Sequence, residues 1–396
     1  MKKVIIFEQG IESLSFFSKR IAETLEKEGL QVFHYQLDQD ASVAETQRKK
    51  LKKFHKPGET MLITFNFNGF RGEEEFYEDG VLVWRKLEIP CINIMVDHPF
   101  YYPALLDKVE EELGFDLYYQ VLIDGDHEKF IRRFYPGITN VMFFPLAGSC
   151  AKNISEERKY DVVFTGNYTP PQKFRKYIER IDDEYTAFYE GIIADLIEHP
   201  DTTMEQAFEK HLKREMGEIS HKDLRTCMGN MIFIDLYVRF YFRGEVIRTI
   251  AEAGIPVHIW GAGFDQLECK KPENLILEGP TDTEGCLNAL ANAKISLNVM
   301  PWFKDGAHDR VYSAMCNGAL CLTDPSRFMR EDLLEGENVI FYSLKEYEKL
   351  PDRICQLLSQ EGKREKIAEG GKEHAMKNHV WSERVPQLLQ FVRKDV

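Results

Sequence analysis

Short apolar runs and longer amphipathic stretches alternate along the first 150 residues. Apolar runs at 4–7, 32–35, 61–65, 91–95, 117–123 and 141–144 each have strand length. Between the first two, Leu14, Phe17, Ile21 and Leu25 recur at helical spacing, and Gly29 supplies the stop. Runs that are apolar throughout and separated by helices predict a parallel sheet covered on both faces. The stretch 148–160 is polar and charged and reads as a linker. A second alternation follows, with runs at 161–165, 256–260, 274–278, 295–300, 319–323 and 338–342. Residues 173–254 carry few strand signals and are too many for a simple crossover, which predicts a helical insertion. The tail from about 345 reads as helical. Its end places Val385, Leu388, Leu389 and Val392 on one face, with Trp381 as an anchor. The expected fold is α/β: two Rossmann-like domains, with parallel sheets facing a cleft, at 1–150 and 151–375.

Bulk properties narrow the function. A chain of 396 residues exceeds one typical core and fits two domains. The net charge of -14 argues against a nucleic-acid partner, because phosphate binding needs clustered positive charge. No apolar run approaches a transmembrane span, and residues 4–7 read as a first strand rather than part of a leader. Eight cysteines with no C-x-x-C spacing predict buried, reduced thiols and a cytoplasmic location.

Ligands of such sheets sit beyond the carboxyl ends of the strands. After the 295–300 run comes "GAHDRVYSAMCNGALCLTD" (306–324). Val311, Ala314 and Met315 give one helix a buried face, and Gly318 ends it. His308, Asp309 and Arg310 then fall at the helix start, where free backbone N–H groups and the helix dipole suit a phosphate. Arg310 could add a bidentate contact. Asp309 would oppose an anion unless it points away, and the bland alternative is a solvated helix start. "VVFTGNY" places Gly166 and Asn167 after a strand. "VHIWGAGF" does the same for Gly261 and Gly263, either as a tight turn or for close backbone approach to a nucleotide. In the first half, Asp97 and His98 follow the 91–95 run and could act as a general base or cap a turn. Asn66 and Asn68 could bind sugar hydroxyls or form a turn. "DGDH" (124–127) reads as a strand-to-helix turn with Asp126 as N-cap, not as a metal site.

The motifs "YDVVFTGNY", "AKISLNVMP", "HDRVYSAMCNGALCLTD", "LLEGENVIFYSLKEYEKL" and "IAEGGKEHAMKNHVWSERV" together resemble the CgeB-like (spore maturation protein B-like) glycosyltransferases. "FNFNGF", "IMVDHPFYY" and "LIDGDHEKFI" resemble the N-terminal domain often found with them. The resemblance implies the GT-B fold, with an N-terminal acceptor domain and a C-terminal domain that binds a nucleotide-diphosphate sugar. It also implies a last segment, 376–396, that packs back on the first domain. The Arg310 region is then expected to contact the donor diphosphate. Ser313 stands where many wider relatives carry a Glu that holds the ribose hydroxyls. No metal or other cofactor is implied; the acceptor is a glycan, protein or small molecule. The alternatives are a nucleotide-sugar epimerase and a non-catalytic nucleotide-sugar-binding protein.

Overall fold

The computed structural model describes residues 1–8, 10–37, 39–152 and 157–393. The chain divides into two compact units, Met1–Pro145 with Trp381–Val396, and Leu146–Val380. Each of the twelve apolar runs contains a strand. In the first unit they are β1 (Lys3–Glu8), β2 (Gln31–Gln36), β3 (Thr60–Phe65), β4 (Cys91–Met95), β5 (Tyr118–Leu122) and β6 (Val141–Phe143). They form one sheet in the order β2-β1-β3-β4-β5-β6, parallel throughout. Every residue of β3, β4 and β5 is buried, which is why these runs show no polar alternation.

Helix Glu12–Lys27 buries Leu14, Phe17, Ile21 and Leu25, and Gly29 follows its end at φ 83°. The last helix, Trp381–Arg393, packs on it, with the Trp381 and Phe17 ring centroids 5.6 Å apart. Val385, Leu388, Leu389 and Val392 are buried.

The second unit repeats the plan with β7 (Tyr160–Thr165), β8 (Val257–Trp260), β9 (Leu275–Gly279), β10 (Ala293–Asn298), β11 (Leu320–Thr323) and β12 (Ile340–Phe341). Their order is β9-β8-β7-β10-β11-β12, again parallel. The chain first runs outward through β8 and β9, then returns to the far side of β7. The switch point therefore lies between β7 and β10. The insertion is helical, built from Arg175–Ile178, Asp183–Glu198, Met204–Met216, His221–Gly229 and Ile232–Glu252. Asp182, Thr203 and Ser220 cap three of these helices, Thr203 in a full capping box with Gln206.

Some expectations are corrected. The N-cap of helix Gly125–Phe134 is Asp124, whose Oδ1 accepts from Asp126 N at 2.8 Å; Asp126 is inside the helix. All eight cysteines are free thiols, but only Cys91, Cys316 and Cys321 are buried. Part of the expected linker, 153–156, lies outside the described residues, and 149–151 is bound to helix Asp309–Cys316. Ser313 Oγ accepts from Ser149 N at 3.2 Å, and Asn317 Oδ1 accepts from Ala151 N at 2.7 Å. Among the described residues, no helix is long and apolar enough to cross a membrane.

Candidate functional site

The carboxyl ends of β7, β10 and β11 and the start of helix Asp309–Cys316 converge at the switch point of the second sheet. β10 ends in Asn298, whose Oδ1 accepts from Arg310 Nε at 3.1 Å and whose Nδ2 donates to Thr323 Oγ1 at 2.9 Å. A residue 1% exposed thus aims the Arg310 side chain. Arg310 Nη1 lies 2.7 Å from His308 Nε2, and His308 Nδ1 lies 2.6 Å from Asp309 Oδ1. Burial, then the Arg310 charge, pushes His308 down to about 4, so the ring is neutral at pH 7. With Nε2 accepting from Arg310, the single ring proton sits on Nδ1 and goes to Asp309. Nδ1 then has no lone pair for the Arg310 backbone N–H, 3.3 Å away. That helix-start donor remains available, and the Asp309 oxygen is occupied by the imidazole.

The insertion supplies the rest. Helix Ile232–Glu252 carries Arg239 and Arg243 one turn apart. Arg239 pairs with Asp235 at 2.8 Å and lies over the Trp302 ring at 4.2 Å. Arg243, 6% exposed, donates Nη1 to the Asn167 carbonyl and lies 5.4 Å from the Trp302 centroid. Burial, then the Arg310 and Arg239 charges, holds Arg243 well below the usual guanidinium range. Burial also lowers Arg310. Arg243 Nε and Arg310 Nη2 are buried without a hydrogen-bond partner. Among the described residues, neither guanidinium forms an ion pair with a carboxylate. Asp324, 4% exposed, accepts from Met300 N at 2.8 Å, and burial pushes it up to about 6. A pocket of about 320 Å³ shares Asp324 with this group and adds Lys304, Arg327 and Arg330.

Buried cationic groups without a directly paired carboxylate are costly, and an anion is the natural complement. The structure therefore brings together His308, Asp309, Arg310 and Asn167 from the expected set. Arg239, Arg243, Asn298 and Trp302 were not anticipated. The signal for the arginines is present in "FIDLYVRFYFRG": two cations one turn apart in a mostly apolar stretch.

Other expected residues are placed differently. A Cβ on Gly261 would lie 2.0 Å from the Gly166 carbonyl oxygen, and one on Gly263 2.0 Å from that of Tyr168. The close approach at these glycines is to the protein's own backbone. They let the 261–263 turn lock onto 166–168, where Asn167 Oδ1 accepts from Ala262 N at 2.9 Å. Ser313 is 4% exposed and engaged by Ser149, so it anchors its helix rather than facing open space.

In the first unit, Asp97 and Asn66 meet at the carboxyl edge of the sheet. Asp97 Oδ2 accepts from Asn66 Nδ2 at 3.0 Å and from Tyr102 Oη at 2.8 Å. Asn66 and Phe67 both adopt left-handed φ, 46° and 64°, a conformation that costs energy outside glycine. His98 Nδ1 caps the short helix Pro99–Tyr101 by accepting from Phe100 N at 3.2 Å, and its ring packs against His127 and Phe130. Asn68 stands in the turn after β3, its carbonyl accepting from Thr64 Oγ1 at 2.8 Å.

Residues 243–390 match a family described as glycosyl transferase-like. No curated protein matches in sequence. Among solved structures, an α-glucosyltransferase in complex with UDP and a 13-mer DNA containing an HMU base aligns at TM-score 0.58 and 11% identity, over 99% of each chain. AviGT4, a glycosyltransferase involved in avilamycin A biosynthesis, aligns at 0.53 and 11%, over 100% of this chain and 98% of its own. The chain covers 57% of the longer TarM at 10% identity and TM-score 0.49. The fold is that of GT-B glycosyltransferases.

Proposed function

We propose that the protein is a glycosyltransferase that moves a sugar, a hexose in our reading, from a nucleoside-diphosphate donor to an acceptor hydroxyl. The observation that carries this is the pair of buried guanidiniums, Arg243 and Arg310, without carboxylate partners at the switch point of the second sheet. When the anomeric carbon leaves the donor, the electron pair of the breaking bond stays on the outer phosphate. Preorganised cations aimed at that charge lower the barrier without reorganising at the moment of reaction. Both guanidiniums and the Arg310 backbone N–H suit a diphosphate, while Trp302 and Asn167 hold the Arg243 guanidinium in place. The UDP complex of the α-glucosyltransferase neighbour supports a nucleoside diphosphate as the ligand class.

Asp97 is the base we favour for the acceptor hydroxyl: Oδ2 is held by two donors and, among the described residues, Oδ1 accepts no hydrogen bond, whereas His98 is spent on a cap and ring packing. Within the class, "AKISLNVMP" and "NHVWSERV" support assignment to the CgeB-like group. The overall negative charge favours a glycan, protein or small-molecule acceptor over a nucleic acid, and the free cysteines favour a cytoplasmic setting.

A panel of nucleoside-diphosphate sugars tests the reading, with nucleotide release followed with and without candidate acceptors. Release that accelerates with an acceptor, with the donor sugar otherwise unchanged, is expected. An epimerised donor appearing without acceptor, or tight nucleotide binding with no turnover on any donor, would overturn it.

A further inference from the structure

Away from the arginine group, three side chains of the second unit converge. Asp332 ends helix Arg327–Asp332, His374 lies in the last turn of helix Glu361–Asn378, and His379 is that helix's C-cap. His374 Nε2 and His379 Nε2 are 3.1 Å apart, and each lies 3.2 Å from Asp332 Oδ1. Asp332 Oδ2 is 2.9 Å from His379 Nε2.

Hydrogen bonds alone do not account for this triangle. If both Nε2 atoms carry protons for the carboxylate, two N–H groups confront each other at 3.1 Å. If one proton lies between the nitrogens, the accepting nitrogen turns its lone pair toward a carboxylate oxygen. A shared cation satisfies all three atoms at once. Ligands around a tetrahedral zinc at about 2.0 Å are separated by about 3.3 Å, close to the separations here. Two imidazole nitrogens with one carboxylate oxygen suit zinc and its first-row neighbours.

The surroundings support the three. The Tyr312 ring stacks on His379 with centroids 3.9 Å apart and planes 7° apart, and its hydroxyl donates to Asp332 Oδ2 at 3.1 Å. Such contacts fix ligand orientation. His379 is 3% exposed, while the side chains of His374 and Asp332 are 23% and 20% exposed, which leaves one side open for a water ligand.

We propose that Asp332, His374 and His379 form a binding site for a divalent first-row cation, with zinc the best match. Its role is structural. It joins the ends of two helices to Tyr312, two residues beyond Arg310 on helix Asp309–Cys316.

The test uses the full-length protein, stripped with chelator and dialysed against micromolar zinc. About one equivalent of zinc is expected to remain, with a melting temperature raised by several degrees. The double substitution His374→Ala with Asp332→Asn is expected to lose both effects. Cobalt on the unaltered protein gives an independent arm. Intense visible bands of four-coordinate cobalt, without the near-ultraviolet thiolate band that the free cysteines would give, support the site. No retained zinc, weak six-coordinate cobalt bands, a thiolate band, or zinc binding unchanged in the variant would overturn it. None of these readouts depends on glycosyl transfer.

Discussion

Arg310 Nη1 donates to the neutral His308 Nε2 across 2.7 Å, and this fixes how the start of its helix meets an anion. The imidazole proton is sent to Asp309, the carboxylate is occupied, and the Arg310 backbone N–H is left for a ligand. The charge of Asp309, which alone would repel a phosphate, becomes a prop for the arginine that binds one.

Arg243 is placed for binding at a cost to stability. Arg243→Met removes a buried charge that has no direct ion-pair partner while keeping much of the packing volume. Donor affinity should fall about 10- to 100-fold, the worth of one or two charged hydrogen bonds. The melting temperature should stay level or rise. Calorimetric titration and thermal melting of the same samples check both. Arg310→Ala should weaken donor binding by a similar factor.

His308 predicts proton uptake on binding. Its folded pKa of about 4 lies below the ordinary imidazole value, and a phosphate beside Arg310 would raise it. At pH 5 to 6, then, nucleotide-sugar binding should take up a fraction of a proton, and affinity should increase as pH falls from 7 to 5. Titrations in buffers of different ionisation enthalpy measure the uptake, and His308→Gln should abolish it.

Asp324 gives a stability signature of the opposite kind. Its folded pKa of about 6 lies above the unfolded value, so the folded state holds the proton more tightly. Its contribution to stability is fullest below about pH 4 and is lost as pH rises to about 6, a fall of about 3 kcal/mol. The stability of the protein minus that of Asp324→Asn should drop by this amount across that range. Urea unfolding at several pH values checks it.

Gly261→Ala should damage the site without touching a charge. Its Cβ would sit 2.0 Å from the Gly166 carbonyl oxygen, and neither backbone can yield cheaply. A loss of about 3 kcal/mol, with weakened donor binding through displaced Asn167, is expected in denaturant unfolding and titration.

Strands β3, β4 and β5 were legible because parallel strands buried on both faces read as unbroken apolar runs. Helix Glu12–Lys27 was legible because one of its faces is wet. The His308–Arg310 helix start was legible from spacing, since Val311, Ala314 and Met315 set the buried face. Arg239 and Arg243 were missed because their helix is apolar on most sides, and nothing local shows which strand ends it will face. Gly261 and Gly263 signalled close approach correctly, but a sequence does not say whether the approaching atoms belong to a ligand or to Gly166 and Tyr168. The position of Ser313 on the helix does not show that it anchors Ser149, which is far away in the chain.

The most direct test is a crystal structure of the protein with the nucleoside diphosphate that binds it best. The account predicts the outer phosphate within hydrogen-bond distance of both the Arg243 and Arg310 guanidiniums and the Arg310 backbone N–H. A nucleotide bound elsewhere, with Arg243 and Arg310 unchanged and making no contact to it, would contradict the central claim.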